Sequence, residues 1–85
     1  MAGTVNFTLS NNQMTDVNVT VVDLRTNAKS IDNLPLNVGE SAAVNVVAGS
    51  DGTGSATWFF ASADGSVNSQ KTQPSIRDGD QCTLG

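Results

Sequence analysis

The stretch Ser-Ala-Thr-Trp-Phe-Phe-Ala-Ser-Ala, residues 55–63, holds the only tryptophan and two of the three phenylalanines of this 85-residue chain. The many Val and Thr residues of the chain favour strands. Successive side chains of a strand point to opposite faces. Three consecutive aromatic residues therefore cannot all enter one core. Trp58 and Phe60 share one face of the strand, and Phe59 occupies the other.

Three arrangements of this aromatic strand are open. We favour the one in which Trp58 and Phe60 point into the core and Phe59 alone stands outside. In the second, Trp58 and Phe60 stand on the outer face, where two rings could stack on sugars or be buried by another subunit. In the third, both faces are covered because the protein is an oligomer, with Phe59 beside Val22 or Val47 at a subunit contact.

The remainder of the chain reads as further strands. Apolar and polar residues alternate strictly from Thr4 to Ser10, and the same period of two recurs later without any segment of helical period. Pro35 cannot donate to a central ladder, which indicates an edge strand or a crossing loop there. We predict a small antiparallel β-sandwich, Ig-like or jelly-roll-like, of about six or seven strands with essentially no helix, in one domain spanning 1–85. The further predicted strands cover residues 17–24, about 41–48, 55–63, 67–72 and 81–84.

Turn signals separate these strands. Asp-Gly pairs begin at Asp51, Asp64 and Asp78 and recur after 13 and then 14 residues, which is about one strand plus one turn. The Gly-rich segment 49–54 lacks the lysine of a phosphate-binding loop and is predicted to be a hairpin loop. The first two strands carry matching patterns, so we expect them to form a hairpin.

The charge pattern argues against several functions. The formal net charge is -4, and the four basic residues are scattered along the chain, so no basic stripe predicts nucleic-acid binding. No apolar run approaches the length of a membrane span, and the start lacks the pattern of a secretion signal, so we expect no membrane insertion. These observations assign no compartment. They fit cytoplasmic synthesis with incorporation into a virion, or a domain excised from a secreted protein.

The residues that usually perform catalysis are sparse. The chain has no His and no Tyr, and the single cysteine, Cys82, has no partner base and is expected to be a small buried hydrophobe at a strand end. We therefore predict that the protein is not an enzyme and needs no cofactor. Calcium is the metal that the sequence could bind, since loop aspartates supply the oxygen ligands that calcium prefers. Aspartates in turns also accept hydrogen bonds from their own backbone, and we favour this structural role for them. The candidate ligands are Asp51, Asp64, Asp78 and Asp80.

Several motifs occur in a recognisable order. An apolar alternation ending in Asn is followed by Val-Asn-Val-Thr-Val, then by Leu-x-Val-Gly-Glu-Ser-x-x-Val-x-Val, then by an aromatic strand closed by Ala-Asp-Gly. Over roughly residues 5–65 this order resembles bacterial Ig-like β-sandwich modules of adhesins and cell-surface proteins. The resemblance implies a spacer or a module that binds partners or sugars, with no catalytic residues to carry over. Residues 76–85 do not fit a standard closing strand of such a module.

These observations favour a non-enzymatic structural or assembly module that self-associates or decorates a larger particle, such as a virion or surface fibre. The expected partners are further copies of the chain or a larger protein assembly. The alternative is a small lectin that uses an aromatic platform together with loop Asp and Asn side chains to bind a glycan. The candidate interface or ligand residues are Trp58, Phe59, Phe60, Val22 and Val47.

Overall fold

Alternating apolar and polar residues produce strands throughout the chain. The computed structural model describes residues 3–85, and in that range seven strands and no helix are formed. The strands are β1 (Thr4–Ser10), β2 (Val17–Asp23), β3 (Ala28–Leu36), β4 (Ser41–Val47), β5 (Gly54–Ala61), β6 (Asn68–Ile76) and β7 (Gln81–Thr83). The predicted strand positions are therefore largely confirmed, and β6 is longer than the weak pattern indicated.

The strands form two sheets that pack face to face. Sheet A has the order β4-β1-β7 and sheet B has the order β3-β2-β5-β6. Neighbouring strands are antiparallel except β1 and β7, which are parallel. The prediction of a small all-β sandwich is confirmed. Of the two alternatives for the segment that contains Pro35, the edge strand is confirmed and the crossing loop is wrong, because β3 lies at one edge of sheet B.

The aromatic strand β5 lies inside sheet B, between β2 and β6. Trp58 is fully buried and Phe60 is nearly so, whereas Phe59 on the opposite face is 43% exposed. The favoured orientation is confirmed, and the arrangement that places Trp58 and Phe60 on the outer face is wrong. The physical reason is that Trp58 and Phe60 together bury more apolar surface in the core than Phe59 alone would. The Trp58 ring packs against Phe7 of sheet A with ring centroids 6.0 Å apart.

Both sheets contribute to one core. Each strand near the centre of the sandwich turns its apolar row inward, so the buried side chains of the two sheets face each other. The fully buried large side chains are Trp58, Leu9, Ile76, Leu84, Val5, Val19, Val21 and Val44. Among the described residues, every buried side-chain nitrogen or oxygen has a hydrogen-bond partner.

The predicted hairpin of β1 and β2 is wrong, since the two strands lie in different sheets. An alternating strand can bury its apolar row with any neighbour, so the matching patterns of β1 and β2 do not select their partners. Asn11 shapes this crossing between the sheets. Its buried side chain donates to the carbonyls of Thr15 (3.0 Å) and Leu36 (2.9 Å) and accepts from the Gln13 amide (2.8 Å).

Asp-Gly turns stand where the sequence predicts them, with positive φ at Gly52, Gly65 and Gly79. Only the second of these turns joins neighbouring strands of one sheet, β5 and β6. The segment 49–54 is therefore not a hairpin loop, because it carries the chain from sheet A to sheet B. Gly54 enters sheet B at a position where a Cβ atom would collide with Val46.

A second tie joins the two sheets at the end of β2. The Asp23 carboxylate is buried and accepts hydrogen bonds from the Val47 amide (2.8 Å) and the Arg25 amide (2.9 Å). Val47 belongs to sheet A and Asp23 to sheet B. This carboxylate therefore holds one end of β4 against the opposite sheet.

The last residues close the sandwich in a way that the sequence pattern did not reveal. The short strand β7 pairs in parallel with β1, and the Leu84 amide donates to the Ser10 carbonyl (3.0 Å). The Leu84 side chain is fully buried, and its carbonyl accepts from Trp58 Nε1 (3.0 Å). The C-terminal segment thus completes both the packing and the hydrogen bonding of the central tryptophan.

We expect Leu84→Ala to destabilise the fold by about 2–5 kcal/mol, because it leaves a cavity beside Trp58. Chemical denaturation followed by Trp58 fluorescence measures this change. Leu24→Ala is the matched control, since Leu24 is 44% exposed and should change stability by less than about 0.5 kcal/mol. Equal effects of the two substitutions would contradict the closing role of Leu84.

Candidate functional site

Phe59 lies in the middle of the outer face of sheet B. It is opposite Thr20 of β2 and Gln70 of β6, so polar side chains flank the ring on both sides. The other large exposed apolar residues, Met14, Leu24 and Val38, lie in turns between strands. Among residues 3–85, Phe59 is thus the one aromatic ring that is presented to solvent, and it stands on a rigid strand.

A shallow groove of about 230 Å³ begins at the Phe59 ring. Its wall combines this aromatic edge with side-chain amides from β2, β3 and β6, and none of the residues that line it is charged. The lining residues are Asn18, Thr20, Asn33, Phe59, Phe60, Ala61, Ser62 and Asn68. The groove therefore offers an apolar surface beside neutral hydrogen-bond donors and acceptors, and it offers no group suited to proton transfer.

Asn33 reaches this groove because β3 is irregular. The pairing of β2 with β3 shifts register between Val19 and Val21, and Asn33 has a φ of 54°. Its amide donates to Thr20 Oγ1 (3.0 Å) instead of to a ladder carbonyl. Asparagine tolerates this left-handed conformation better than most residues. The sequence analysis did not identify Asn33 as a site residue. The only available signal was its position beside the irregularly spaced apolar residues around Pro35.

The predicted interface residues are divided among three environments. Trp58 and Phe60 belong to the core, so Trp58 offers no surface to a ligand. Val22 is half-buried on β2, on the same outer face as Phe59 and opposite Thr57. Val47 is half-buried on β4 of sheet A and does not share a face with Phe59. The structure therefore unites only Val22 and Phe59.

The four candidate calcium ligands lie in three turns, and each carboxylate accepts hydrogen bonds from main-chain amides. Asp51 bonds to the Thr53 amide (3.0 Å), Asp78 to the Asn6 amide (2.8 Å) and Asp80 to the Arg77 amide (2.9 Å). The Thr53 bonds lower the pKa of Asp51. Within residues 3–85, no three acidic, cysteine or histidine side chains come together as metal ligands.

Asp64 makes the most hydrogen bonds of the four. Its Oδ1 accepts from the Ser62 hydroxyl (2.7 Å), the Ser66 amide (3.0 Å) and the Ser66 hydroxyl (2.8 Å). These bonds favour the charged form, with Ser62 contributing most, and lower the pKa of Asp64 from 3.8 to about 2. The carboxylate therefore acts as the centre of the β5–β6 turn.

Cys82 lies on β7 opposite Leu9 and is only partly buried, packing against the edge of the core. Burial, followed by the negative charge of Asp80, raises the pKa of its thiol, while Lys71 acts weakly in the other direction. A raised pKa keeps the group in the thiol form, which is a poor nucleophile. Its packing resembles the expected small hydrophobe, with more exposure than expected.

No protein-family model, no curated protein and no solved structure matches this chain. The part of the chain between residues 3 and 85 contains no helix that is long and apolar enough to cross a membrane.

The Asp64 turn predicts a pH-dependent contribution to stability. Because its pKa is lowered on folding, the carboxylate stabilises the fold above pH about 4, and this contribution is lost as the pH falls towards about 2. The difference in melting temperature between the wild type and Asp64→Asn should therefore shrink across this interval. Asp32→Asn is the control, since it breaks only an exposed 3.6 Å ion pair with Lys29. A difference for Asp64→Asn that does not vary with pH would contradict the assignment.

Proposed function

We propose that this protein is a non-enzymatic structural module that self-associates or decorates a larger particle through the outer face of sheet B. The observation that carries the proposal is the 43% exposure of Phe59 at the centre of a strand. When a partner removes this ring from water, the free energy falls by roughly 25 cal/mol for each Å² of apolar surface buried. The solvent-facing side of a sheet in a monomeric protein ordinarily carries polar side chains.

The surroundings of Phe59 support an interface rather than a catalytic site. Val22 adds a half-buried apolar side chain on the neighbouring strand, and Thr57 between them is almost fully buried. Thr57 and Thr72 share a hydrogen bond of 2.9 Å, which fixes the side chains of this part of the face. Rigid, weakly polar surfaces of this kind lose little entropy when they are covered.

A virion or a surface fibre is the kind of particle that we propose for such a module. The resemblance to bacterial Ig-like modules of adhesins points in the same direction and stays a prediction, as does the Ig-like form of the sandwich. Both settings use small β-sandwiches as repeated building units, and neither requires chemistry from the chain.

The groove beside Phe59 favours glycan binding as a second candidate function. Sugar rings present an apolar face and many hydroxyls, and they suit an aromatic platform flanked by amides. The groove supplies such a combination with Phe59, Asn18, Asn33 and Asn68. This version of the lectin hypothesis relies on Phe59 and on strand asparagines, in place of Trp58 and the loop aspartates.

Removing the exposed ring should weaken assembly. We expect Phe59→Thr to raise the dissociation constant of self-association at least tenfold, as measured by sedimentation at tens to hundreds of micromolar. Threonine keeps the β-propensity of the position. Leu24→Thr, which removes an exposed leucine from a turn, should leave the constant unchanged. Unaltered association of Phe59→Thr would contradict the role of this face.

Glycan binding is tested separately by NMR. On titration with a glycan that a broad array identifies, amide shifts should concentrate at Asn18, Asn33, Asn68 and Phe59, and Phe59→Ala should weaken binding at least tenfold. Asn6→Ala is the control, because Asn6 is an exposed strand asparagine of the other sheet. Absence of binding across the array at millimolar concentrations would reject this second candidate.

A further inference from the structure

Strand β4 forms an edge of sheet A, with β1 as its hydrogen-bonded neighbour. The pairing of β1 with β4 is regular along its whole length. It is flanked by bonds from the Ala48 amide to the Gly3 carbonyl (2.8 Å) and from the Asn11 amide to the Glu40 carbonyl (2.9 Å). Because bonded and non-bonded pairs alternate in an antiparallel ladder, the even-numbered residues of β4 bond to β1. The main-chain groups of the odd-numbered residues point away from the sheet.

Most of these outward groups have no partner. The Val47 amide is taken by Asp23 (2.8 Å), which closes one end of the edge. Within residues 3–85, no hydrogen bond reaches the outward amides and carbonyls of Ser41, Ala43 and Asn45. All three residues are exposed. We call these three residues the open edge of β4.

The other edges of the sandwich carry features that prevent strand addition. In sheet B, β3 contains Lys29, Asp32 and Pro35 with two register shifts, and β6 contains Lys71 and Pro74. In sheet A, β7 is only three residues long. Charges, prolines, irregular register and short length are the usual protections of an edge strand. The sequence of β4, Ser-Ala-Ala-Val-Asn-Val-Val, has none of them.

The open edge is complementary to itself. If two copies approach antiparallel with Ala43 on the two-fold axis, Ser41 of each lies opposite Asn45 of the other. Each outward amide and carbonyl of the open edge then meets a partner, and Asp23 is left undisturbed. The methyl groups of the two Ala43 residues are small enough for close approach. No charged side chain lies within Ser41–Val47, so no like charges are brought opposite each other.

The inner face supports the same partner. Ala42 is only partly buried at the margin of the core, although it packs against that core. In the register centred on Ala43, Ala42 of one copy lies beside Val44 of the other. Pairing would therefore extend the apolar layer across the two-fold axis and form one continuous sheet from both copies.

We propose that the open edge of β4 pairs with the same edge of a second copy of this chain. The inference goes beyond the proposed function, because it adds a second contact between copies: the edge of β4 forms a dimer, and the Phe59 face joins further copies or a larger particle. It uses a surface on sheet A that is separate from the Phe59 face of sheet B. Its isologous, two-fold geometry closes on itself and yields a dimer, not an open chain.

Sedimentation and amide hydrogen exchange test this edge directly. In the wild-type dimer, the amides of Ala43 and Asn45 should become at least tenfold slower to exchange as the concentration rises from micromolar to hundreds of micromolar. The amides of Ala42 and Val44 serve as internal references, because they are already bonded to β1. In the Phe59→Thr background, which lacks the other proposed contact, Ala43→Lys should prevent the doubling of mass from 8.8 kDa. Ser69→Lys, which adds the same charge to the already protected strand β6, should not.

Ala43→Pro provides a second variant. Its missing amide faces the open edge, so the ladder to β1 loses no bond. The inference is overturned if the wild type stays monomeric, or if a dimer forms while the Ala43 and Asn45 amides exchange at the monomer rate. A dimer that survives Ala43→Lys and Ala43→Pro but dissociates with Phe59→Thr would overturn the edge inference and support the Phe59 face. The opposite result would support the edge.

Discussion

The burial of one tryptophan between two small sheets is the constraint on which the rest of the structure depends. Trp58 fills the centre of the sandwich, packs against Phe7 of the opposite sheet and donates its indole hydrogen to the Leu84 carbonyl. A buried indole N–H without a partner would cost free energy, so the C-terminal segment has to return to the core. This hydrogen bond, the burial of Leu84 and the bond from the Leu84 amide to Ser10 together hold the last strand beside β1 although it is only three residues long.

Placing Trp58 and Phe60 inside leaves Phe59 outside, because a strand alternates its side chains. The exposed ring is therefore a direct consequence of how the core is filled, and its surroundings decide what it can do. Thr20 and Gln70 flank it, and side-chain amides line the groove beside it. A surface of this composition can bind by contact and hydrogen bonding, and it lacks the groups that transfer protons or activate nucleophiles.

Much of the fold could be predicted from local pattern, and the pairing of the strands could not. The alternation in β1 and the buried row of Val17, Val19 and Val21 locate the strands well, since burial on one face imposes a period of two. The same pattern suits any neighbour that supplies an apolar layer. The interpretation of β1 and β2 as a hairpin failed for this reason. Of the candidate surface residues, Phe59 was placed by alternation on the face opposite Trp58, and the packing of the core decided which of the two faces is exposed. The position of Val47 depended on which sheet β4 joins.

By itself, the sequence determined that this protein is built of strands with one aromatic core, that Asp-Gly pairs make its turns, and that Phe59 faces away from Trp58. These are local properties, set by side-chain alternation and by the backbone freedom of glycine. Only the tertiary structure decided which turns cross between sheets, which asparagines meet beside Phe59, and which edge of which sheet remains open. Those features depend on contacts between residues far apart in the chain. Such contacts are selected by the packing of the whole core, which no short stretch of sequence specifies.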